Sequence, residues 1–538
     1  MAAVSLCRRG AAWLLALLLL LSLAGCQKDT PMGKSFRFSL SAEPRQLDPQ
    51  VAEDAASVAV VSALFEGLTR LDEKGKAVAA AAEWTVSEDG LTYTFRLRPS
   101  KWSNGDPVTA DDFVFGMQRT VSPATGSGLA SRLSGIQGAA AVMAGELPPE
   151  ELGVRAVDAS TLAVTLTEPD ESFPEKVAGT PFFPCHRRFF EETGGRYGLE
   201  TKYLVTNGPF TLSNWSHGES LRLTKAEGYH DQGDVYPAVV RYIIGEPEDP
   251  LAALKAGTLD AAELSPEQAK EAADAGMRVV ELEDTIQMLW LNNGVSALSS
   301  AKVRTALRDA LEWDAVMKQA KSAVHVPAEG YIAPDAVVGS GEKYRTGDNA
   351  RIFSTDRTAA AQALADGLAE KALTAMPRLT VLCADDAYSQ RVALYVIQSW
   401  QKNLDIYAEL EPLSPSQLTA RVSVGNYQAA ICPSTAPGLT AMDALGMYVS
   451  HASKGNWARF GDAGYDALYA ELQAGAAGRE ELDRLEEKLV ELCPSIPLTF
   501  QRRSIGIPAA VSGLIIRPFG GGAYGAPVDF RRAGKVEG

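Results

Sequence analysis

Residues that could perform covalent chemistry are scattered along the chain and form no recognisable catalytic motif. The sequence contains neither a Gly-x-Ser-x-Gly elbow nor a His-Glu-x-x-His pair, and its cysteines are not paired at metal-ligand spacing. We expect each histidine to be a surface residue or a hydrogen-bonded core residue. The histidines are His186, His217, His230, His325 and His451. The sequence therefore predicts a protein that is not an enzyme and carries no cofactor and no metal.

The cysteines fall into two groups. Cys7 and Cys26 lie near the N-terminus, and the other four are widely separated. Either one or two disulfides or buried free thiols would fit these four, because a chain this long does not need covalent staples. The four are Cys185, Cys383, Cys432 and Cys493.

Residues 1–25 have the features of a targeting segment. Two arginines precede the apolar run 11–23, which is too short for a confident membrane span of about 20 residues. The run ends in Leu-Ala-Gly-Cys, which resembles a bacterial lipobox. That resemblance implies that Cys26 carries lipid and that residues 26–34 form a polar tether. An ordinary secretory signal that happens to contain Cys is the alternative.

Length and charge suggest a large acidic protein outside the cytoplasm. About 510 residues follow Cys26, which is enough for two or three domains. The formal net charge of −16 argues against a nucleic-acid partner, since phosphate binding needs clustered Lys and Arg.

The hydrophobic pattern indicates an α/β protein. Leu91, Tyr93, Phe95 and Leu97 alternate with polar residues, as in a strand with one buried face. Thr109 has the position of a helix N-cap. Further along, a strand-helix-strand pattern over 379–410 predicts a sheet that is at least partly parallel, and 301–318 predicts one amphipathic helix.

Several ordered motifs resemble the oligopeptide-type (family 5) extracellular solute-binding proteins, the ligand receptors of ATP-driven importers. The stretch 64–119 contains EGL-x-RLD, W-x-VSEDGLTYTF-x-LR and KWSNGDPVTA-x-DF, and residues 43–49 read E-P-x-x-L-D-P. The resemblance implies an α/β, two-lobed periplasmic-binding-protein-like fold of the class II (cluster C) type, with a small extra domain and a hinge between the lobes.

The same resemblance implies a domain division. The predicted division assigns residues 35–75, 205–285 and 499–538 to lobe I, residues 76–204 to the small extra domain, and residues 286–498 to lobe II.

In peptide-binding members of this family, an extended peptide pairs with strand-like segments from both lobes. The resemblance places the first-lobe segment at Glu53, Asp54, Ala55 and Ala56, and the second-lobe segment within 429–437. Relatives typically carry an Asp in the second segment, which pairs with the ammonium group of the peptide. This chain has no carboxylate between Gln428 and Met442. Either Asp443, Glu53 or Asp54 replaces that Asp, or the ligand lacks an amino terminus held in the usual way.

Other positions that match the family's cleft are less specific. Leu129 stands where relatives often have Tyr, and other candidates could equally be core or hinge residues. The further candidate ligand-binding residues are Trp290, Asn292, Cys432, Ser434, Thr435 and Phe500.

The predicted function is that of a lipid-anchored receptor on the outer side of the cell membrane, whose likeliest ligand is an oligopeptide. The resemblance implies membrane permease subunits and a cytoplasmic ATPase as partners, and a monomeric receptor. One alternative is a non-peptide solute, such as a metal chelate or a sugar, on the same scaffold. Others are a peptide-sensing or chaperone-like protein and an extracytoplasmic enzyme.

Overall fold

The computed structural model describes residues 35–339, 341–346, 353–450, 452, 455–474, 478–521 and 526–535. The predicted signal peptide, the lipidation site Cys26 and the tether lie outside these residues. None of the described helices is both long enough and apolar enough to cross a membrane.

Eight of the ten strands described in the first part of the chain form two four-stranded sheets, one mixed and one antiparallel, and the other two, β2 and β3, pair with each other. The mixed sheet has the order β1-β10-β9-β8, in which β1 and β10 are parallel, and the antiparallel sheet has the order β4-β5-β7-β6. The strands are β1 (Ser35–Leu40), β2 (Thr69–Leu71), β3 (Ala77–Ala79), β4 (Ala82–Val86), β5 (Thr92–Leu97), β6 (Val154–Asp158), β7 (Thr161–Thr165), β8 (Phe210–Ser216), β9 (Ser220–Lys225) and β10 (Val239–Ile244).

Seven of the eleven later strands that the structure describes form one mixed sheet, and the other four form two antiparallel pairs, β18 with β21 and β19 with β20. The order of the mixed sheet is β11-β17-β12-β16-β14-β15, and β13 pairs with β17. Strand β14 is parallel to both of its neighbours, which confirms the predicted parallel pairing over 379–410. The strands are β11 (Ala262–Leu264), β12 (Arg278–Leu291), β13 (His325–Pro327), β14 (Leu379–Ala384), β15 (Ala408–Leu413), β16 (Ala429–Thr435), β17 (Ser495–Ile507), β18 (Val511–Ser512), β19 (Ile515–Ile516), β20 (Val528–Asp529) and β21 (Gly534–Lys535).

Helices surround these sheets. Many begin with a side-chain cap; Thr109, for example, forms a capping box with Asp112, as predicted. The α-helices are α1 (Ala55–Leu64), α2 (Ala110–Val121), α3 (Ala139–Met143), α4 (Phe173–Lys176), α5 (Arg187–Glu192), α6 (Pro250–Lys255), α7 (Pro266–Asp274), α8 (Ala301–Asp309), α9 (Trp313–Ala320), α10 (Arg357–Glu370), α11 (Ala387–Leu404), α12 (Pro415–Ser423), α13 (Ala441–Gly446), α14 (Ala463–Ala474) and α15 (Arg479–Leu492).

The prediction of a single helix over 301–318 is wrong, because α8 ends at Asp309 and α9 begins at Trp313. At the break, the Glu312 amide donates to Ser399 Oγ (3.1 Å) and the Trp313 amide donates to Thr355 Oγ1 (3.1 Å). Hydroxyl groups from distant parts of the chain thus replace helical hydrogen bonds, so local periodicity could not predict the break.

Buried side chains form two large clusters. The first core draws on β1, α1, the β4–β5 hairpin, α2 and the C-terminal segment, with Phe36, Phe95 and Phe113 almost wholly buried. The second core surrounds the seven-stranded sheet, with Trp290 and Trp400 at its centre. The first core joins side chains from the predicted lobe I and the predicted small domain. The division of the chain into domains stays a prediction.

Strands β12 and β17 carry the chain between the two cores. Leu282 and Ile505 belong to the first core, whereas Ile286 and Phe500 belong to the second. The two strands pair side by side, with register shifts between Leu282 and Thr285 and between Gln287 and Met288. This two-stranded crossing, residues 278–291 and 495–507, is called the hinge ribbon below.

Ion pairs stabilise the hinge ribbon. Arg503 lies 2.7 Å from Asp284, whose side chain is fully buried, and Arg502 lies 2.6 Å from Glu283. Asp284 also accepts a hydrogen bond from the Phe519 amide (2.6 Å), which fastens the C-terminal segment to the ribbon.

A buried ion pair joins two sequence motifs of the first half of the chain. Asp48, from E-P-x-x-L-D-P, makes a two-pronged contact with Arg119 at the end of α2, at 2.7 and 3.2 Å. Arg119 also donates to Gln50 Oε1 (2.8 Å) and lies over the ring of Phe190. Asp48 and Arg119 therefore stabilise the scaffold.

Candidate functional site

The ladder between β14 and β16 in the seven-stranded sheet is short, and the place where it ends is called the crevice below. The two strands pair at Ala429 and Ala430, and within the part of the chain that the structure describes their pairing goes no further, although β16 continues to Thr435. From Ile431 onward, β16 pairs with β12 on one side and, among the described strands, with none on the other. Unpaired backbone groups at such an edge can accept another strand, although Pro433, in the middle of this edge, has no N–H to donate.

The topology at the crevice is one that often accompanies ligand binding. From β14 the chain passes through α11 to β15 on one side and returns through α12 to β16 on the other. Ligands of open α/β sheets bind outside the carboxyl ends of the strands at such a reversal. The carboxyl ends here are Ala384 of β14 and Thr435 of β16.

Polar side chains line one face of the sheet beside the crevice. In one cross-strand row Thr435, Thr285, Gln501 and His325 lie side by side, and Gln287 and Thr499 are adjacent in the next row. Thr435 is exposed, and its hydroxyl lies 2.9 Å from that of Thr285. Gln287 Oε1 is buried and has no hydrogen-bond partner among the described residues.

Tyr388 covers this polar face from the first turn of α11. Its ring stacks on His325 at 4.1 Å between centroids, and its hydroxyl lies 3.5 Å from Thr499 Oγ1. Burial lowers the pKa of His325, against a smaller opposing effect of Asp386. His325 is therefore neutral near pH 7, and the face offers hydrogen-bonding groups without net charge. It can bind a polar backbone or a neutral polar group, and it holds no activated nucleophile.

The predicted first-lobe segment lies at the start of α1. Asp54 is the N-cap of that helix and accepts hydrogen bonds from the Ser57 amide (2.9 Å) and hydroxyl (2.7 Å). Glu53 is exposed and lies against Gly128, where an added Cβ would be 2.0 Å from Glu53 Oε1. Ala55 is exposed, whereas Ala56 is buried in the first core. The structure thus brings Glu53 next to the loop of Leu129.

Five of the predicted ligand-binding side chains lie in the protein interior. Each is at most 5% exposed, and the indole N–H of Trp290 is buried without a hydrogen-bond partner among the described residues. Asn292 donates to the carbonyls of Gly425 (3.0 Å) and Tyr427 (2.7 Å). The burial of the five favours a role in packing over direct contact with a ligand. The five are Leu129, Trp290, Asn292, Cys432 and Phe500.

Asn292 is also far from the open end of β16. Thr435 pairs with Thr285, and Ala429 pairs with Leu291 at the other end of the same ladder. At about 3.3 Å per residue, Asn292 is roughly 20 Å from Thr435. Trp290 pairs with Ala430, directly before the first unpaired residue of β16, and only its burial argues against contact with a ligand. Ser434 faces the opposite side of the sheet from Thr435 and pairs with Ile286. It is 9% exposed.

Asp443 lies outside β16, in helix α13. It is the third residue of α13, where its Oδ2 accepts hydrogen bonds from the Thr440 amide (3.0 Å) and hydroxyl (2.6 Å). It also lines a cavity of about 620 Å³ between elements of the first core and elements of the second.

The four cysteines of the folded part are all buried and free. Burial raises the pKa of Cys185 and Cys432 to about 12 and that of Cys383 to about 11. The sequence left open either disulfides or buried free thiols, and the structure contains buried free thiols.

Sequence reasoning missed the polar face, including Tyr388, Gln287 and His325. Thr285 and Gln287 alternate with the apolar residues Ile286 and Met288 in β12, and that alternation was a usable signal. No sequence pattern marks Tyr388, because its place beside the polar face depends on the order of the strands in the sheet.

Comparisons with known proteins agree with this architecture. Residues 77–456 match the family described as bacterial extracellular solute-binding proteins, family 5 (middle region). The dipeptide-binding protein DppE of Bacillus subtilis is 24% identical over 489 residues, which cover 89% of each chain. A probable deoxycholate-binding periplasmic protein of Escherichia coli, YgiS, is 35% identical over 243 residues, which cover 44% of this chain and 45% of the other.

Comparison with a solved structure shows that the fold is also shared. The substrate-binding domain of an oligopeptide ABC transporter from Bacillus anthracis superposes with a TM-score of 0.75 at 28% identity, covering 94% of this chain and 99% of the other. The profile match spans more than half of the sequence, and the two-lobed α/β architecture is shared. The chain belongs to the bacterial extracellular solute-binding proteins of family 5.

Proposed function

We propose that this chain is a receptor anchored to the bacterial cell membrane by lipid on Cys26, which captures an oligopeptide between two closing lobes and delivers it to an ABC importer. The observation that carries the peptide assignment is the open edge of β16 at the crevice. An extended peptide adds to such an edge through its own backbone groups. The names of relatives that bind dipeptides or belong to oligopeptide transporters support the same ligand class.

Recognition in this proposal is divided between backbone and side chains. The peptide backbone pairs with Ile431–Thr435, where Pro433 contributes only its carbonyl, and the neutral polar face formed by Thr285, Gln287 and Tyr388 binds groups that project from the peptide. Hydrogen bonds to the backbone are independent of sequence, so the receptor accepts peptides of varied composition.

Closure supplies the signal to the importer. The ligand adds contacts that exist only when Glu53–Ala56 and the crevice enclose it, so binding shifts the population toward the closed form. The hinge ribbon is the segment that bends. Permease subunits and a cytoplasmic ATPase are the partners of the closed, monomeric receptor. The proposal includes no cofactor, no nucleic acid and no catalytic step.

The test is a binding experiment on the secreted protein. The Cys26→Ala variant, released from the membrane, is freed of ligand by mild denaturation and titrated calorimetrically with defined di- to pentapeptides. We expect micromolar or tighter binding of at least one length class. Thr435→Trp, which fills the open edge, should abolish it, whereas Val424→Trp, at a surface position that is 68% exposed, should not. Equal binding by both variants would contradict the crevice as the site.

The anchor is tested on the unaltered leader. We expect the wild-type protein in the membrane fraction and the Cys26→Ala protein in the soluble fraction. Membrane retention of the variant would reject lipid on Cys26.

A second candidate ligand class is a non-peptide solute. The absence of a carboxylate between Gln428 and Met442 favours it, and one relative is named for deoxycholate. Mass spectrometry of the ligand that leaves the protein on mild denaturation separates the two classes.

A further inference from the structure

A small cavity lies inside the first core. Phe65, Phe183, Phe210 and Phe530 form its apolar wall. Its volume is about 70 Å³. Because a water molecule occupies about 30 Å³ of the liquid, the cavity has room for a group the size of one or two waters. None of the described residues at the β16 crevice borders it, so it is separate from the candidate peptide site.

Charged side chains complete the lining of this cavity, and guanidinium groups outnumber carboxylates by three to two. All five are buried or half-buried, so salt and water screen their charges only weakly. The five are Glu66, Arg70, Arg517, Asp529 and Arg531.

Both carboxylates are already bound by other groups. Arg531 makes a two-pronged contact with Asp529, at 2.7 and 3.1 Å. Glu66 accepts a hydrogen bond from the Tyr229 hydroxyl and lies 2.6 Å from His230 Nε2, on the side away from the cavity lining. The other two guanidinium groups, those of Arg70 and Arg517, are therefore left without a carboxylate of their own.

Arg517 is held in place by backbone carbonyls. It follows β19, and its side chain donates to the carbonyls of Leu71 (2.8 Å) and Ala526 (3.1 Å). The Asp529 carboxylate is 3.8 Å from its Nη2. Arg517 is only 6% exposed, and its Nε is buried without a hydrogen-bond partner among the described residues. A buried donor of this kind is costly, so it points to an acceptor in the cavity that it borders.

Arg70, in β2, is the second uncompensated cation. It is half-buried and makes no hydrogen bond or ion pair with another side chain in the described part of the chain. Burial and the charge of Arg531 lower the pKa of Arg70, against an opposing effect of Asp529. Burial lowers the pKa of Arg517 as well, and Asp529 only partly offsets it. One further negative charge would stabilise both cations.

We propose that this cavity binds one small monovalent anion of chloride size, which accepts a hydrogen bond from Arg517 Nε and neutralises Arg70. A water would satisfy the Nε–H group, but it would leave two guanidinium charges uncompensated in an apolar surrounding. The ion joins β2 to the segment that follows β19, and so it fastens the C-terminal segment to the first core. A second cavity of about 320 Å³, which Arg70 and Arg531 also border, is its route of entry.

The first experiment titrates chloride at constant ionic strength. The secreted Cys26→Ala protein, freed of peptide, is melted in sodium gluconate that is replaced stepwise by sodium chloride; gluconate is too large for the cavity. We expect the melting temperature to rise with the logarithm of the chloride concentration above the dissociation constant, as for any ligand that binds only the folded state. An unchanged melting temperature rejects the site.

Variants assign the effect to the two arginines. Arg517→Lys keeps the charge but removes Nε–H, and Arg70→Gln removes the other cation. Each should raise the chloride concentration at which the rise begins by about tenfold or more, the factor expected for a hydrogen bond to a charged group. Arg532→Gln removes the same charge from an exposed arginine that pairs with Asp234, and should leave the onset unchanged. If Arg517→Lys does not fold, Arg70→Gln decides: the same onset as in Arg532→Gln overturns the inference.

Bromide locates the ion. Crystals grown with bromide in place of chloride should show an anomalous peak within hydrogen-bond distance of Arg517 Nε. A water at that position, without an anomalous signal, overturns the inference, and a peak without a chloride-dependent melting temperature means binding at crystal concentration only and also rejects the site. The protein is free of peptide throughout, so a failure of the proposed function leaves these results unchanged.

Discussion

Replacing Arg119 by Met should strongly destabilise the first core, because it leaves the carboxylate of Asp48 buried without its partner. The two side chains are 9% and 7% exposed, and their closest contact is 2.7 Å. Charges roughly 4 Å apart at an effective dielectric of about 20 interact by about 4 kcal/mol. Removing one partner of a buried pair typically costs about 3–5 kcal/mol. We expect Arg119→Met to lower the free energy of unfolding by about that amount.

The assay is urea unfolding followed by tryptophan fluorescence, with the midpoint and the slope both fitted. Most of the loss should be recovered in the double variant Asp48→Asn with Arg119→Met, because no net charge then remains at the site. Lys302→Met, which breaks the exposed pair with Glu370, should leave the midpoint unchanged. The reasoning is refuted if Arg119→Met behaves like Lys302→Met, or if the double variant is no more stable than the single one.

Three further predictions concern other parts of the fold. The pKa of His230 is raised, since the effects of Glu66 (2.6 Å) and Asp231 outweigh burial. Its protonation therefore stabilises the fold below about pH 6.5, and the free energy of unfolding should fall as pH rises through the raised pKa. Gly116→Ala should cost about 1–3 kcal/mol, because an added Cβ would lie 2.2 Å from the Phe183 carbonyl oxygen. The native thiols should not react with Ellman's reagent, because all four are buried and their pKa values are raised.

Each of these has a matched check. His230→Gln should remove the alkaline fall in stability, and an unchanged pH profile would reject the role of that pair. Gly135→Ala, where an added Cβ meets nothing within 4 Å, should be tolerated in the same melting experiment. Denaturation of the Cys26→Ala protein, without its leader, should release four thiols, and rapid reaction before denaturation would contradict their burial.

Much of the local structure could be predicted because its determinants are close together in the sequence. The alternation in β5 and the Thr109 cap each depend on a few consecutive residues, and the structure contains both. The break between α8 and α9 depends on Ser399 and Thr355, which lie far away in the sequence, so periodicity joined two helices into one.

The candidate site was harder to predict, for the same reason. The family resemblance predicted a ligand-binding segment within residues 429–437, and the open edge of β16 lies in that segment. Trp290, at the far end of β12, and Asn292, just beyond that end, lie opposite the start of β16, which only the antiparallel register reveals. Tyr388 reaches the polar face because β14 lies between β16 and β15 in the sheet, an order that no local pattern encodes.

The hinge ribbon has a mechanical consequence. A hinge made of separate loops permits twisting, sliding and bending, whereas two hydrogen-bonded strands side by side resist shear along their length. In the proposed closing motion, the paired strands at residues 278–291 and 495–507 bend together, and Asp284 fastens the C-terminal segment to one of them. An importer that docks on both halves, as proposed, would then read the angle between them. A single pair of dyes across the crevice would measure the same variable.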